Sequence, residues 1–323
     1  MSKTPSPTGS VVVTGGAGFI GRALVARLVA RGLPVTALLR RPSPAIPGAA
    51  SCLAGEITAE TDWAPILAGA RAVVHLANRA HASLDAGERG WIEAEAAAAA
   101  HLARAAALSG VERVVLLSSI KVLGERTGER PFTAEDRPAP EDGYGLAKER
   151  IEEAMRGAMS GGASLTILRP PLVYGPGVKA NFLAMLRLVD RGLPLPLAGI
   201  ANRRSFVFID NLVDLIEAAL APAAPGGTFL LRDDEEVSTP DLLRRIARQL
   251  GRPSRLFPCP APLLRLAAGS LGRGSMADRL LQSLRIDDSA TRARFGWSPQ
   301  IGLDEGLAAT CRWYREAKAG RSG

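Results

Sequence analysis

The stretch VVVTGGAGFIGRAL, residues 11–24, decides the fold. A β-branched run passes straight into a cluster of glycines and then into a helical pattern. Glycine destabilises such a junction unless the backbone needs left-handed torsions or a close neighbour. Gly16, Gly18 and Gly21 fit G-x-G-x-x-G, with a strand before and a helix after, and Gly15 precedes them. Missing side chains let a pyrophosphate approach the backbone, and the helix N-terminus offers N–H groups with a partial positive charge. The stretch therefore predicts a dinucleotide site at Gly15, Gly18, Phe19, Ile20 and Gly21. The competing reading is a tight strand–helix turn that holds no ligand.

Outward from this turn, short apolar runs alternate with helical patterns. Strands are expected at Ser10–Thr14, Val35–Leu39, Ser51–Ala54, Ala72–Leu76, Arg113–Ser118 and Ser164–Leu168. Helices are expected between them, including Gly18–Arg31, Trp91–Ser109 and Tyr144–Met159. That alternation implies parallel βαβ units with right-handed crossovers, an α/β fold of the doubly wound, Rossmann type. After Leu168, prolines at 170, 171, 176, 194 and 196 punctuate loops and short helices. Residues 205–220 read as strand and helix again, GGTFLL (226–231) as a strand, and the chain from Ser238 as mostly helical. The expected division is a dinucleotide-binding domain at 1–172 and 204–232, and a smaller, mostly helical substrate lobe at 173–203 and 233–323.

The 323 residues are 47% hydrophobic, enough for a large core. The net charge of +8 comes from arginines spread along the chain rather than gathered in an arm. With no zinc-ligand spacing and no RNA-binding aromatic motif, small anionic ligands are expected rather than nucleic acid. His75 and His81 lack metal-ligand spacing and read as loop or structural residues, so no metal is expected. Cys52, Cys259 and Cys311 fit a reducing compartment and small core positions. MSKTPSPTGS at the start has no apolar run, and no stretch reaches the roughly 18 apolar residues of a membrane span. A cytoplasmic protein without an integral membrane segment is the expectation.

The second strand ends Leu39-Arg40-Arg41. A carboxylate there would hold an adenosine ribose 2′-OH. Two guanidinium groups instead suit a 2′-phosphate, so NADP(H) is preferred and NAD(H) remains possible. The bland alternative is a pair of solvated arginines.

Tyr144-Gly145-Leu146-Ala147-Lys148 is Y-x-x-x-K, which on a helix sets phenol and ammonium on one face. An adjacent cation lowers a phenol's pKa toward a useful range. Ser118 and Ser119 end the preceding strand, and ligands of parallel sheets bind at strand C-termini. Tyr144, Lys148 and Ser119 are thus candidates for one acid–base site.

At this point the chain resembles the extended short-chain dehydrogenase/reductase superfamily, in its sugar epimerase/dehydratase branch. The resemblance rests on TGGAGFIG (14–21), HLAN (75–78), SSIKVLG (118–124), YGLAK (144–148), LRPPLVYGPG (168–177), RSFVFIDNLVDLI (204–216) and RFGWSPQIGLDEGL (294–307), in the family's order. It implies a seven-stranded sheet and Ser119, Tyr144 and Lys148 as the catalytic trio. It implies cofactor contacts from Glu56, Ile57, Leu76, Ala77, Asn78, Ser118, Tyr144, Lys148 and Pro171, beside the glycines and Arg40 and Arg41. It implies substrate contacts from Arg79, Ser119, Lys121, Asn181 and Arg204, the last two on a substrate diphosphate. A helix N-cap for Asn181 and a surface charge for Arg204 are the plainer readings. The alanine-rich helix of residues 93–108 is expected to pack, and the family's habit implies a homodimer.

Several positions depart from the family pattern. Glu56 stands where Asp is common, Glu95 is followed by alanines where many members have a nearby Asn in N-x-x-G-T, and Leu172 stands where UDP-hexose epimerases usually carry Asn. Ile120 and Lys121 stand where 4,6-dehydratases carry Asp-Glu, which leaves that elimination without its acid–base pair. The resemblance implies an NAD(P)-dependent oxidoreductase acting at C4 of a nucleotide-activated sugar. Reduction of a UDP-4-keto-(6-deoxy)-sugar for surface polysaccharide leads. The alternatives are a UDP-glucose or UDP-N-acetylhexosamine 4-epimerase, and a non-catalytic dinucleotide-binding scaffold or sensor.

Overall fold

The computed structural model describes residues 9–77, 89–159, 162–260, 262–264 and 280–320. Its centre is a seven-stranded, all-parallel sheet in the order β3-β2-β1-β4-β5-β6-β9. The strands are β1 (Ser10–Thr14), β2 (Val35–Leu39), β3 (Ala50–Leu53), β4 (Ala70–His75), β5 (Arg113–Leu117), β6 (Ser164–Arg169) and β9 (Gly227–Leu230). Valine-rich runs such as Val11–Val13 and Val114–Leu116 are fully buried, as strands covered by helices on both faces must be. The order reverses between β1 and β4, and the crevice outside that switch point is where open α/β sheets take ligands.

On one face lie α1 (Phe19–Ala30) and α6 (Ile209–Ala219), which share a core with Leu24, Leu28, Leu212 and Ile216. On the other, beside the short α2 (Ala64–Leu67), α3 (Arg89–Leu108) packs along α4 (Gly143–Ala158) through Ala99, Leu102, Ala103, Ala106, Ile151 and Met155. Small alanines let these two helices approach closely over the sheet. The alanine-rich run is thus core-forming on one side, while Leu108 stays exposed at its end.

After β6 the chain leaves the sheet at Pro170-Pro171. A second parallel pair, β7 (Leu172–Tyr174) with β8 (Phe206–Phe208), stands beyond the strand ends, and α5 (Ala180–Asp190) lies between its two members in sequence. The later helices are α7 (Thr239–Leu250), α8 (Ser289–Phe295) and α9 (Leu303–Ala319). Between α7 and α8 the described chain is mostly irregular rather than helical. The terminal motif is tied back to the sheet by Asn211: its Oδ1 accepts from the Gln300 and Ile301 N–H groups, and its Nδ2 donates to buried Asp233. Gly306 is required there, because a Cβ would lie 2.6 Å from the Tyr174 hydroxyl. Among the described residues no helix is long and apolar enough to cross a membrane.

Candidate active site

Two clefts open at the C-terminal ends of the strands. The first, about 410 Å³, lies over the glycine turn and is walled by Gly15, Gly18, Arg40, Arg41, Glu56 and His75. The local sequence dictates its floor. Gly15 has φ +69°, and a Cβ there would sit 3.0 Å from the Ala77 nitrogen. A Cβ on Gly21 would lie 2.2 Å from the Gly15 carbonyl oxygen, so this glycine acts through packing of the first helical turn on the loop. Gly18 begins the helix without any side-chain cap. These features fit a pyrophosphate, which needs open backbone N–H groups at a helix start. Ile57, Leu76 and Ala77 complete the cleft wall. A Cβ on Gly177 would lie 3.4 Å from the Phe19 ring. Asn78, Arg79 and His81 lie outside the described residues.

Arg40 and Arg41 are exposed at the rim, and among the described residues neither makes a hydrogen bond or ion pair. Arg22 reaches from α1 to Ser43 Oγ at 2.8 Å and fixes the loop that follows them.

His75 ends β4 and lines the same cleft. Thr14 Oγ1 accepts from the Leu76 and Ala77 N–H groups, each at 3.1 Å, and lies 2.9 Å from His75 Nδ1. With both lone pairs taken, its hydroxyl donates to Nδ1, so the imidazole proton sits on Nε2. Burial and the Lys148 charge pull His75 down to about 3, which keeps the ring neutral.

The second cleft, about 280 Å³, is lined by Ser119, Lys121, Tyr144, Pro171, Asn181 and Arg204. Ile20 and Ser118 also reach its wall. Ser119 begins a short 3₁₀ turn (Ile120–Val122) after β5, and Tyr144 lies in the first turn of α4. Asp142 caps that helix, its Oδ1 accepting from the Gly145 N–H at 2.7 Å. Lys148, one turn on, is buried and donates to the Leu117 carbonyl at 2.7 Å. Burial pulls its ammonium down to about 8, with the carboxylates of Glu152 and Glu95 opposing that fall. Glu95 reaches the first cleft from α3, close enough for its charge to act on Lys148.

Asn181 is exposed at the start of α5, next to Ala180, whose φ of +49° is the one left-handed non-glycine torsion among the described residues. Arg204 is half-buried and donates to the Gln282 carbonyl at 3.0 Å, with its backbone bridged to Val237. Lys121 is committed to two carboxylates, donating to Glu125 at 2.6 Å and to Asp142.

Sequence reasoning missed the hub beneath this cleft. Ser118 Oγ donates to Glu152 Oε1 at 2.5 Å. Arg169 grips the same carboxylate with two bonds, 2.8 and 2.6 Å. All three side chains are buried; burial pushes Glu152 upward, but hydrogen bonds from Arg169 and Ser118 and the charges of Arg169 and Arg156 together hold it below the usual carboxylate range. The Ser118 hydroxyl is therefore turned to Glu152. The signal was the spacing: Tyr144, Lys148 and Glu152 recur every four residues on one helix face.

Comparison with known proteins identifies the family. The NAD dependent epimerase/dehydratase family matches residues 11–231. A UDP-glucose 4-epimerase of Vibrio cholerae is 38% identical over 315 residues, covering 95% of this chain and 96% of that protein. One from Mycolicibacterium smegmatis is 30% identical over 327 residues, covering 94% and 98%. Among solved structures, MoeE5 in complex with UDP-glucuronic acid and NAD superposes with a TM-score of 0.77 at 26% identity, covering 96% of this chain and 100% of that one. A parallel sheet with the glycine turn at its switch point, and a relative this similar along the whole chain, lead to one conclusion: this chain is an enzyme of the NAD-dependent epimerase/dehydratase family.

Proposed function

We propose that the enzyme oxidises and reduces C4 of a UDP-hexose, and that 4-epimerisation is the net reaction. The observation that carries this reading is the second cleft. There the Ser119 and Tyr144 hydroxyls share one space with Asn181 and Arg204, directly beyond the strand ends that hold the glycine turn. Gly15, Gly18, Glu56 and Ile57 would hold a nicotinamide dinucleotide, which supplies a reversible hydride acceptor when bound. Tyr144 holds or gives up a proton at the C4 oxygen, and Ser119 donates a hydrogen bond to that oxygen. Lys148, fixed on Leu117, supplies positive charge from the same helix face one turn on from Tyr144. Arg204 and Asn181 bind the diphosphate, since a guanidinium fork matches its paired oxygens. The 38% identity to the Vibrio cholerae epimerase supports epimerisation over the 4-keto reduction that leads from sequence alone.

Arg40 and Arg41 favour a second reading. A 2′-phosphate partner for them suits an enzyme that exchanges NADP(H) at each turnover, as net 4-keto reduction requires. The deciding experiment supplies UDP-glucose or UDP-galactose with NAD⁺, and separately UDP-4-keto-sugars with NADPH. Epimerisation predicts interconversion of the two hexoses without net cofactor reduction. Stoichiometric NADPH loss on the 4-keto-sugars, with no interconversion, would establish the second reading instead.

A further inference from the structure

Lys121 joins the two elements that carry the reacting hydroxyls. Its backbone N–H donates to Ser119 Oγ at 3.3 Å. Its carbonyl oxygen presses on α4 at Gly145, where a Cβ would stand 2.6 Å away. Its ammonium donates to Asp142, the residue that caps the helix bearing Tyr144. The same ammonium lies 5.9 Å from the centre of the Tyr144 ring, within the range of a cation–π contact.

We infer that Lys121 is a positioning residue for the reaction, fixing Ser119 against Tyr144 and holding a second positive charge on the phenol ring. The inference rests on the catalytic reading of Ser119, Tyr144 and Lys148. A lysine placed to catch a substrate anion would keep its ammonium clear of carboxylates. Here Glu125 and Asp142 take two of its three protons, and its contacts run to the catalytic turn and helix. Among the described residues, the charged and titratable groups around Tyr144 include Lys148 and Asp142 from α4 and its cap, Lys121 and Glu125 from the turn after β5, and Arg204 across the cleft. Removing Lys121 alone would leave the two carboxylates facing the phenol without this cation. A phenolate is disfavoured by neighbouring negative charge.

The test compares K121M, K121R and K121M/E125Q, the last of which keeps the local net charge of the parent. The double variant also guards against misfolding of K121M, because it removes one of the two carboxylates left behind. The expected result is a fall in kcat of about tenfold or more, the scale on which misplaced catalytic groups act. Reduced-cofactor affinity should stay at the parental value. The pH limb governed by Tyr144 should move to higher pH in K121M and K121M/E125Q and return in K121R. Parental kcat and pH profile in the double variant, or a K121R limb as displaced as that of K121M, overturns the inference. Undiminished turnover in Tyr144→Phe would count against the catalytic reading beneath it, and that measurement is independent of Lys121.

Discussion

Lys148 sets its ammonium on the carbonyl oxygen of Leu117, 2.7 Å away, at the last residue of β5. A helix residue is thereby bolted to the strand end that delivers Ser118 and Ser119. The side chain is buried, and burial pulls the ammonium down from 10.5 to about 8. In the unfolded chain the lysine binds its proton more tightly. Between about pH 8 and 10.5 the unfolded state therefore carries more protons, and this residue's contribution to stability improves as pH rises. Denaturant unfolding of the parent and Lys148→Met should show the difference shifting in the parent's favour across that window. A pH-independent difference would contradict the buried, proton-binding Lys148 described here.

The Glu152–Arg169 pair predicts a stability effect. Removing one partner of a buried ion pair leaves the other charge uncompensated, at a cost of about 3–5 kcal/mol. Glu152→Gln should lose stability on that order, since Arg169 is buried beside it. Replacing both, as Glu152→Leu with Arg169→Met, should recover much of the loss. Equal losses in the single and double variants would mean that packing, not charge, dominates this hub.

For the rim of the first cleft, Arg40→Ala with Arg41→Ala should weaken NADPH selectively. A hydrogen bond to a charged group contributes about 1.5–3 kcal/mol, so a loss of roughly tenfold or more is expected. NADH affinity should hold. Parallel weakening of both cofactors in a fluorescence titration would tie the arginines to the fold.

Arg204→Ala should raise KM for the sugar nucleotide and weaken UDP binding, while NAD(P)H affinity stays the same. The guanidinium spends one donor on Gln282, so Arg204→Lys should restore the loop anchor only in part. UDP titrated calorimetrically into the Ala variant gives the answer. Parental affinity there removes the diphosphate from this arginine.

Much of this was legible in the sequence, for physical reasons. Period, branching and glycine chemistry are local, so the turn at Gly15–Gly21 and six strands of the main sheet could be read within a residue or two at their ends. The seventh, Gly227–Leu230, was read from GGTFLL. The β7–β8 pair was not read as a separate sheet, because three-residue strands are specified by their partners more than by their own pattern. The role of Arg169 was hidden for a similar reason. An arginine closing an apolar strand signals a buried partner, but Glu152 comes from another element. The carboxylates on Lys121 could not be assigned either, since Glu125 and Asp142 meet only when the loop between them closes.

The central claim is that Tyr144 moves a proton at the C4 oxygen within the second cleft. Replacing it by Phe removes one hydroxyl from a half-buried ring and leaves Lys148 on Leu117. The decisive measurement is single-turnover hydride transfer with UDP-galactose in the parent and the Phe variant, at matched cofactor saturation. General acid–base catalysis is worth about 10²–10⁴-fold, and a fall of that size with unchanged cofactor affinity is the expected result. A rate constant within a factor of about two of the parent's, well below that range, would contradict the account.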